Sequence, residues 1–280
     1  MAIFSQKPLK VVKIWRLFWG DDSNRAARAK SFGFPGQPCH KTAMTKIDRT
    51  PDKADFEHVT DWVFDLDNTL YPHHVNLFAQ IDKNMTSYVA TLLQMERDEA
   101  RKLQKQYYLE HGTTLQGLMI HHGIDPNDFL EKAHAIDYSA LTPQPELGAA
   151  IKALPGRKFI FTNGSVKHAE MTAEALGILE HFDDIFDIVA ADYVPKPAQA
   201  TYDKFTALKR VETAKAAMFE DLPRNLTVPK ALGMQTVLLV PRNLEDTVVE
   251  WWEKTSGEED HIDFVTDDLA AFLGRITASG

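Results

Sequence analysis

From about residue 145 onward, short apolar segments alternate with segments of helical periodicity, and this alternation restricts the chain to few folds. Apolar runs without polar interruption are typical of strands buried on both faces of a sheet. Strands that alternate with helices pair in parallel and carry helices on both faces. The sequence therefore predicts an α/β fold. Its strands are predicted at 59–65, 158–162, 185–190, 216–219, 236–240 and 262–265.

The helices of this region fall between the predicted strands, and two of them stop at glycines that favour helix ends, Gly177 and Gly233. These helices are predicted at 146–154, 167–176 and 200–211, between 219 and 232, and at 245–254.

A second pattern occupies the chain from residue 75 to about 136, where no strand-like run occurs. Apolar residues such as Leu77, Ile81 and Met85 recur there at helical spacing. Asp125-Pro126 has the residue types of a helix N-cap followed by the first helical position. This stretch is predicted to be an all-helical insertion in the α/β fold.

The composition limits location and partners. The chain has 280 residues, a net charge of −9 and one cysteine, Cys39. The negative charge argues against nucleic-acid binding, and no apolar run approaches the ~20 residues that a membrane span requires. One cysteine excludes an internal disulfide and a cysteine-based metal cluster, which fits the cytoplasm. We expect a cytoplasmic protein with a small-molecule partner, either a monomer or a homodimer.

Residues 1–43 differ in charge from the remainder, since they hold eight Lys or Arg and only two acids. A basic leader is compatible with targeting or with a membrane-surface arm. We favour a disordered extension and polar lead-in over residues 1–58, or translation starting at Met44. Mass spectrometry of the native N terminus distinguishes these possibilities.

Two acidic residues lie at the end of the first predicted strand. Asp65 and Asp67 come directly after the apolar run Trp62-Val63-Phe64. Two acids this close are costly to bury unless a positive charge lies between them, and oxygen ligands favour a hard cation such as Mg²⁺. A carboxylate beside such a cation can attack phosphorus while a second carboxylate moves the proton. The pattern therefore predicts phosphoryl-transfer chemistry.

Three further polar segments lie at or beyond the ends of other predicted strands. Parallel strands end at one edge of the sheet, and ligands bind at that edge. Singly, each segment has a commoner structural explanation as a turn, a solvated loop or a helix cap. Together they supply the donors and the positive charge that a phosphoryl group requires. The segments are Thr162-Asn163-Gly164, Lys196 and Glu220-Asp221.

In order and spacing, Asp65-Leu66-Asp67-Asn68-Thr69 and these three segments resemble the four motifs of the haloacid dehalogenase-like hydrolases. The resemblance covers about residues 59–268. It implies a Rossmann-like parallel sheet covered by helices on both faces, with an all-helical type 1 cap inserted after the first motif. The core domain would then comprise 59–74 and 145–280, and the cap 75–144.

The resemblance also implies catalytic roles. Asp65 would be the nucleophile that forms an aspartyl-phosphate. Asp67 would be the acid/base that protonates the leaving alcohol and then activates water. Dehalogenases of this superfamily lack an acid at the second position, so the presence of Asp67 favours phosphate chemistry.

The other residues of the motifs would bind substrate or metal. Phosphate would be bound by the Thr162 hydroxyl, the backbone N–H groups of Asn163 and Gly164, and Lys196. Mg²⁺ would be bound by Asp65, Asp221 and the backbone carbonyl of Asp67. The supporting residues would be Thr69, Glu220 and Asn225.

Two softer signals favour the pyrimidine 5′-nucleotidase branch. The fourth motif reads Phe219-Glu220-Asp221-Leu222-Pro223, where many relatives carry Gly-Asp-Ser. In the cap, residues 107–118 resemble the Tyr-Gly-Thr-Thr-x-x-Gly-Leu segment of that branch, with His111 where Tyr is usual. The leading hypothesis is a Mg²⁺-dependent pyrimidine nucleoside 5′-monophosphatase. A phosphatase of a small sugar phosphate or phosphoglycolate is the nearest alternative, followed by a mutase and by a non-catalytic binding module on the same fold.

Several other side chains have a simpler structural explanation. We interpret Tyr107, Tyr108 and Phe129 as cap core, His121-His122 as a helix end, and His73-His74 as a neutral surface pair.

Overall fold

The computed structural model describes residues 50–242 and 259–278, and the predicted helix at 245–254 lies outside them. Within the described ranges, six strands form one parallel sheet in the order β3-β2-β1-β4-β5-β6. The strands are β1 Asp61–Phe64, β2 Arg157–Phe161, β3 Asp184–Phe186, β4 Ala216–Glu220, β5 Gln235–Leu239 and β6 Phe264–Thr266.

The central strand β1 is buried along its whole length and pairs with β2 on one side and β4 on the other. In this register Phe64 lies opposite Ile160 and Phe219. The N–H of Asp65 donates to the carbonyl of Phe219 (2.9 Å), so the ladder to β4 continues into the acidic motif. The carboxyl ends of β1, β2 and β4 are therefore level, and side chains just after them are neighbours.

Helices cover both faces of the sheet, as predicted. Alternate residues of β1 divide between the faces: Trp62 and Phe64 pack in one cluster, and Val63 packs in the other. The helices outside the insertion are α1 Lys53–Phe56, α6 Pro145–Ala153, α7 Val166–Ala175, α8 Gln199–Lys209, α9 Thr227–Ala231 and α10 Leu269–Thr277.

The helical insertion lies between β1 and β2, and its helices are α2 Leu77–Leu93, α3 Arg97–His111, α4 Thr114–His122 and α5 Pro126–Ala133. They share a cluster of buried apolar side chains that includes Tyr107 and Phe129, so these two rings are core residues. Asp125 caps α5 by accepting from the N–H of Asn127, with Pro126 at the first position. The helix content agrees with the predicted cap, whereas the domain bounds at 75 and 144 stay a prediction.

Some elements in the described ranges differ from the sequence prediction. Strand β3 stops at Phe186 instead of 190, because the Asp187 carboxylate accepts from the N–H groups of Val166 and Ala190 and turns the chain. The helix predicted before 232 begins as a 3₁₀ turn at Pro223–Leu226 and becomes α9. Helix α1 was not predicted, and its last residue, Phe56, is buried against the sheet. No helix in the described part of the chain is long and apolar enough to cross a bilayer.

Candidate active site

Lys196 lies at the centre of the site and is 1% exposed. Its Nζ donates to Asp65 Oδ1 (2.7 Å), to Glu220 Oε1 (2.7 Å) and to the carbonyl of Phe161 (2.8 Å). Each of the three ammonium hydrogens thus has an acceptor. Burial lowers the pKa of Lys196, but the two carboxylates outweigh burial and the net shift is upward. Lys196 is therefore a fixed cation beside the predicted nucleophile.

The turn after β2 fixes the backbone of Lys196. Asn163 Oδ1 accepts from the N–H of Lys196 (2.8 Å), and Asn163 Nδ2 donates to its carbonyl (3.2 Å). The N–H of Gly164 donates to Thr162 Oγ1 (2.9 Å). The predicted phosphate-binding residues thus lie together, with one difference: the Gly164 N–H, expected to face phosphate, is used within the turn.

Three carboxylates lie close together here, and two of them contact Lys196. Asp65, Glu220 and Asp221 each offer an oxygen, and the three oxygens lie within 4.8 Å of one another. Burial raises the pKa of Asp65 to about 7, against the opposing effect of Lys196. Burial, with Glu220 and Asp65 nearby, raises the pKa of Asp221 well above its usual range. One ammonium does not neutralise three carboxylates, so the site favours a further cation.

The donor set fits a hard divalent cation, because such ions prefer carboxylate oxygens and Mg²⁺ is typically held by few of them. Both Glu220 oxygens also accept protein hydrogen bonds, from Lys196 and from Asn225 Nδ2 (2.6 Å) at Oε1 and from the N–H of Leu222 (2.8 Å) at Oε2. Asn225 therefore contacts Glu220, as the supporting role predicted for Asn225 requires. Asp65 and Asp221 are the better candidates for direct ligands.

Asp221 also has partners from the loop after β1. Asn68 Nδ2 donates to Asp221 Oδ2 (3.3 Å), and His73 Nε2 lies 3.7 Å from the same oxygen. The side chain of His73 is 20% exposed. The interpretation of His73 as a surface residue was therefore wrong: the 3₁₀ turn at His73–Val75 carries it back over the acidic cluster. Thr69 is buried beside this loop, and its Oγ1 has no hydrogen-bond partner among the described residues.

The Asp67 side chain is not part of the carboxylate cluster and has partners of its own. Its Oδ1 accepts from the hydroxyl of Tyr71 (2.5 Å) and from Nε2 of His168 (2.9 Å). Burial raises the pKa of Asp67, but His168 and Tyr71 outweigh burial and the net shift is downward. The resemblance implied a metal role for Asp67 through its backbone carbonyl, and that role stays a prediction.

Sequence reasoning missed the residues that surround Asp67. The sequence patterns did not single out Tyr71, His168, His134 or Tyr138. The one available signal was the position of His168 three residues after Ser165, which caps α7 and accepts from the His168 N–H (3.3 Å). That spacing places His168 in the first turn of a helix that follows the phosphate-binding turn.

Comparison with known proteins agrees with the resemblance. The profile of the family "haloacid dehalogenase-like hydrolase" matches residues 63–233, well over half of the chain. The chain therefore belongs to the haloacid dehalogenase-like hydrolases. It has the α/β fold that the family membership implies, and the motif residues converge at the edge of its sheet.

Individual relatives are distant. Phosphate metabolism protein 8 of Saccharomyces cerevisiae is 26% identical over 193 residues, which is 62% of this chain and 60% of that protein. The chain thus spans less than two thirds of that relative.

Solved structures resemble the fold. L-2-haloacid dehalogenase from Xanthobacter autotrophicus has a TM-score of 0.51 at 18% identity, covering 77% of this chain and 97% of that one. A phosphatase of the same superfamily from Thermococcus onnurineus has a TM-score of 0.50 at 16% identity, covering 79% and 100%. A dehalogenase and a phosphatase are similar to nearly the same extent, so the chemistry must be argued from the site.

Proposed function

We propose that the protein is a Mg²⁺-dependent phosphomonoesterase that acts through an aspartyl-phosphate on Asp65. The observation that carries the proposal is the pair of carboxylates with different surroundings. Asp65 is held by a buried lysine beside other acids, whereas Asp67 is held by Tyr71 and His168. Two neighbouring carboxylates in distinct environments can divide nucleophilic and proton-transfer work between them.

In the first step, Lys196 holds one oxygen of Asp65 while the other oxygen attacks phosphorus. An Asp65–phosphorus bond forms, the phosphorus–ester oxygen bond breaks, and its electron pair stays on the leaving alcohol. Asp67 gives that oxygen a proton. In the free protein the pKa of Asp67 is lowered, but a bound phosphate places negative charge beside it and favours its protonated form.

In the second step, Asp67 is a carboxylate and takes a proton from water. The water oxygen attacks phosphorus, the Asp65–phosphorus bond breaks, and inorganic phosphate is released. Lys196 remains paired with Asp65 throughout, so the nucleophile returns to its starting position.

Mg²⁺ would be held by Asp65, Asp221 and the backbone carbonyl of Asp67. Glu220 would be a supporting residue. When bound, the ion supplies positive charge that offsets repulsion between the Asp65 carboxylate and the phosphate.

For the substrate, we propose a pyrimidine nucleoside 5′-monophosphate of the UMP or CMP type. Support comes from the Glu220-Asp221 doublet and from the cap segment at 107–118. In the structure, Thr113 caps α4 and Thr114 Oγ1 donates to the carbonyl of Gln104 (3.3 Å). These hydroxyls are thus engaged within the insertion, and the base would be recognised by other groups.

A substrate panel with Mg²⁺ tests the proposal: UMP, CMP, AMP, phosphoglycolate and sugar phosphates. We expect the highest kcat/KM with UMP or CMP, and no turnover in EDTA. A preference for sugar phosphates or phosphoglycolate would replace the nucleotide assignment and keep the phosphatase chemistry. Full activity in EDTA would contradict the metal dependence.

The matched variant is Asp65→Asn, which keeps the shape of the side chain and an acceptor for Lys196. We expect turnover to fall by about 10⁴-fold or more, since the nucleophile itself is removed. Circular dichroism should show an unchanged fold. Retained turnover in a folded Asp65→Asn protein would refute the nucleophile assignment.

A further inference from the structure

His168 is completely buried against Asp67, although 101 positions separate them in the chain. A carboxylate oxygen only accepts hydrogen bonds, so the hydrogen lies on His168 Nε2, which donates to Asp67 Oδ1 (2.9 Å). The hydroxyl of Tyr71 donates to the same oxygen (2.5 Å). Within the described ranges, no hydrogen bond is made to Oδ2. Two donors thus converge on one oxygen and leave the other for chemistry.

The other ring nitrogen of His168, Nδ1, and one face of the ring also have partners. Its Nδ1 lies 2.9 Å from the hydroxyl of Tyr138. The ring of His134 stacks on it, with centroids 4.5 Å apart and planes 2° from parallel. His134 Nδ1 in turn contacts Ser165 Oγ (3.1 Å), the residue that caps α7. The imidazole is therefore fixed at both nitrogens and on one face.

We propose that His168 is a positioning residue for the acid/base step. It orients the Asp67 carboxylate so that Oδ2 faces the leaving-group oxygen, and later the attacking water. This inference rests on the proposed phosphatase function. A carboxylate rotates easily about its terminal bond, and efficient proton transfer requires it within hydrogen-bond reach of the reacting oxygen. Tyr71 alone gives one point of attachment, and His168, backed by Tyr138, gives the second.

Such a role has a kinetic signature that simple structural support lacks. An alkyl phosphate needs a proton on its leaving oxygen, whereas p-nitrophenyl phosphate releases a stabilised anion that needs almost none. Misplacing Asp67 should therefore lower kcat/KM for the alkyl ester far more than for the aryl ester. The ratio kcat/KM is the right quantity, because it contains only the steps up to departure of the leaving group.

The test compares two variants in which an amide side chain replaces His168, with Mg²⁺ present. In His168→Gln the side-chain amide reaches the place of Nε2, so a donor to Asp67 remains. In His168→Asn the amide ends near the place of Nδ1 and leaves Asp67 without this donor. The substrates are p-nitrophenyl phosphate and the alkyl phosphate that the wild-type protein hydrolyses fastest.

We expect His168→Asn to lower kcat/KM for the alkyl phosphate by about 30-fold, which is part of the roughly 10²–10⁴-fold that a general acid contributes. For p-nitrophenyl phosphate the loss should be no more than about threefold, because that ester needs almost no proton on its leaving group. His168→Gln should recover most of the alkyl activity. If His168→Asn does not fold, Tyr138→Phe gives the same comparison. Without the hydroxyl at Nδ1 the ring is less firmly held, and the loss should again be confined to the alkyl ester.

Two failures can be told apart. Equal losses on both esters, or no rescue by His168→Gln, would overturn the positioning role while leaving the phosphatase function in place. A wild-type protein that hydrolyses neither ester with Mg²⁺ would overturn the proposed function and this inference with it.

Discussion

Lys196 shows at the scale of one residue how this site combines stability with chemistry. A fully buried lysine is expensive unless it is paired and all its hydrogens are accepted. Here two carboxylates and a backbone carbonyl meet that requirement. The same contacts place a fixed positive charge beside Asp65, where a phosphoryl oxygen would need it. The ion pair therefore belongs to the fold and to the proposed reaction at once.

Lys196→Met should be strongly destabilising, because it leaves Asp65 and Glu220 buried beside Asp221 without their shared cation. We expect the free energy of unfolding to fall by about 3–5 kcal/mol, measured by urea denaturation in EDTA at pH 7. The matched control is Lys215→Met, since Lys215 pairs with Glu212 at the surface and is half exposed. Lys215→Met should lower the free energy of unfolding by less than about 1 kcal/mol. Equal costs for the two variants would contradict this description of the lysine.

At the scale of elements, the first two helices of the insertion are joined by a polar network as well as by apolar packing. Asp82 of α2 accepts from Arg101 Nη1 (2.5 Å), Gln104 Nε2 (2.7 Å) and Lys105 Nζ (3.0 Å) of α3. Its side chain is 15% exposed, so solvent screens these bonds only in part. The network ties α2 to α3 at a distance from the proposed reaction.

Asp82→Asn should lower the free energy of unfolding by about 1.5–3 kcal/mol at pH 7, the usual contribution of hydrogen bonds to a charged group. Burial raises the pKa of Asp82, but Lys105 and Arg101 outweigh burial and the net shift is downward. A lowered pKa gives stability that is present above the unfolded pKa of 3.8 and lost as pH falls through the folded value. The difference between wild type and variant, followed by urea denaturation, should therefore shrink below about pH 4.

The exposed Glu131 of α5 provides the control, since Glu131→Gln should have little effect at either pH. If Asp82→Asn lowers the free energy of unfolding by the same amount at every pH, the charge of Asp82 does not join the two helices.

At the scale of the whole molecule, sequence patterns predicted the features that depend on local order along the chain. Apolar runs and their order predicted a parallel sheet, and a parallel sheet brings Asp65 and Lys196 to one edge. Features that depend on distant partners were not predictable. Asp187 ends β3 early by bonding to backbone across the turn, and no local pattern indicated it. His168, the partner of Asp67, comes from a helix, and Tyr138, the partner of His168, comes from a loop; only the folded chain brings them together.

We expect the clustered carboxylates to make global stability depend on pH and on metal. The folded pKa of Asp65 is about 7, above its unfolded value of 3.8. A raised carboxyl pKa contributes stability at low pH that is lost as pH rises through the folded value. The melting temperature in EDTA should therefore be lower at pH 8 than at pH 5. Differential scanning fluorimetry measures it at both pH values.

Mg²⁺ should reverse this loss, because binding to the folded state raises its stability and protons compete for the same oxygens. The increase in melting temperature on adding Mg²⁺ should thus be larger at pH 8 than at pH 5, and smaller in Asp65→Asn. An absent Mg²⁺ effect at both pH values would remove the metal from the account.

The central claim is that Asp65 becomes phosphorylated, and trapping the phosphoenzyme tests it most directly. The wild-type protein would be mixed with ³²P-labelled substrate and Mg²⁺, quenched in acid within a single turnover, and digested for peptide mapping. We predict label on the peptide that contains Asp65, released by hydroxylamine as expected for an acyl phosphate, and no label in Asp65→Asn. Label on a different residue, or turnover that proceeds with no labelled protein at any time, would contradict the account.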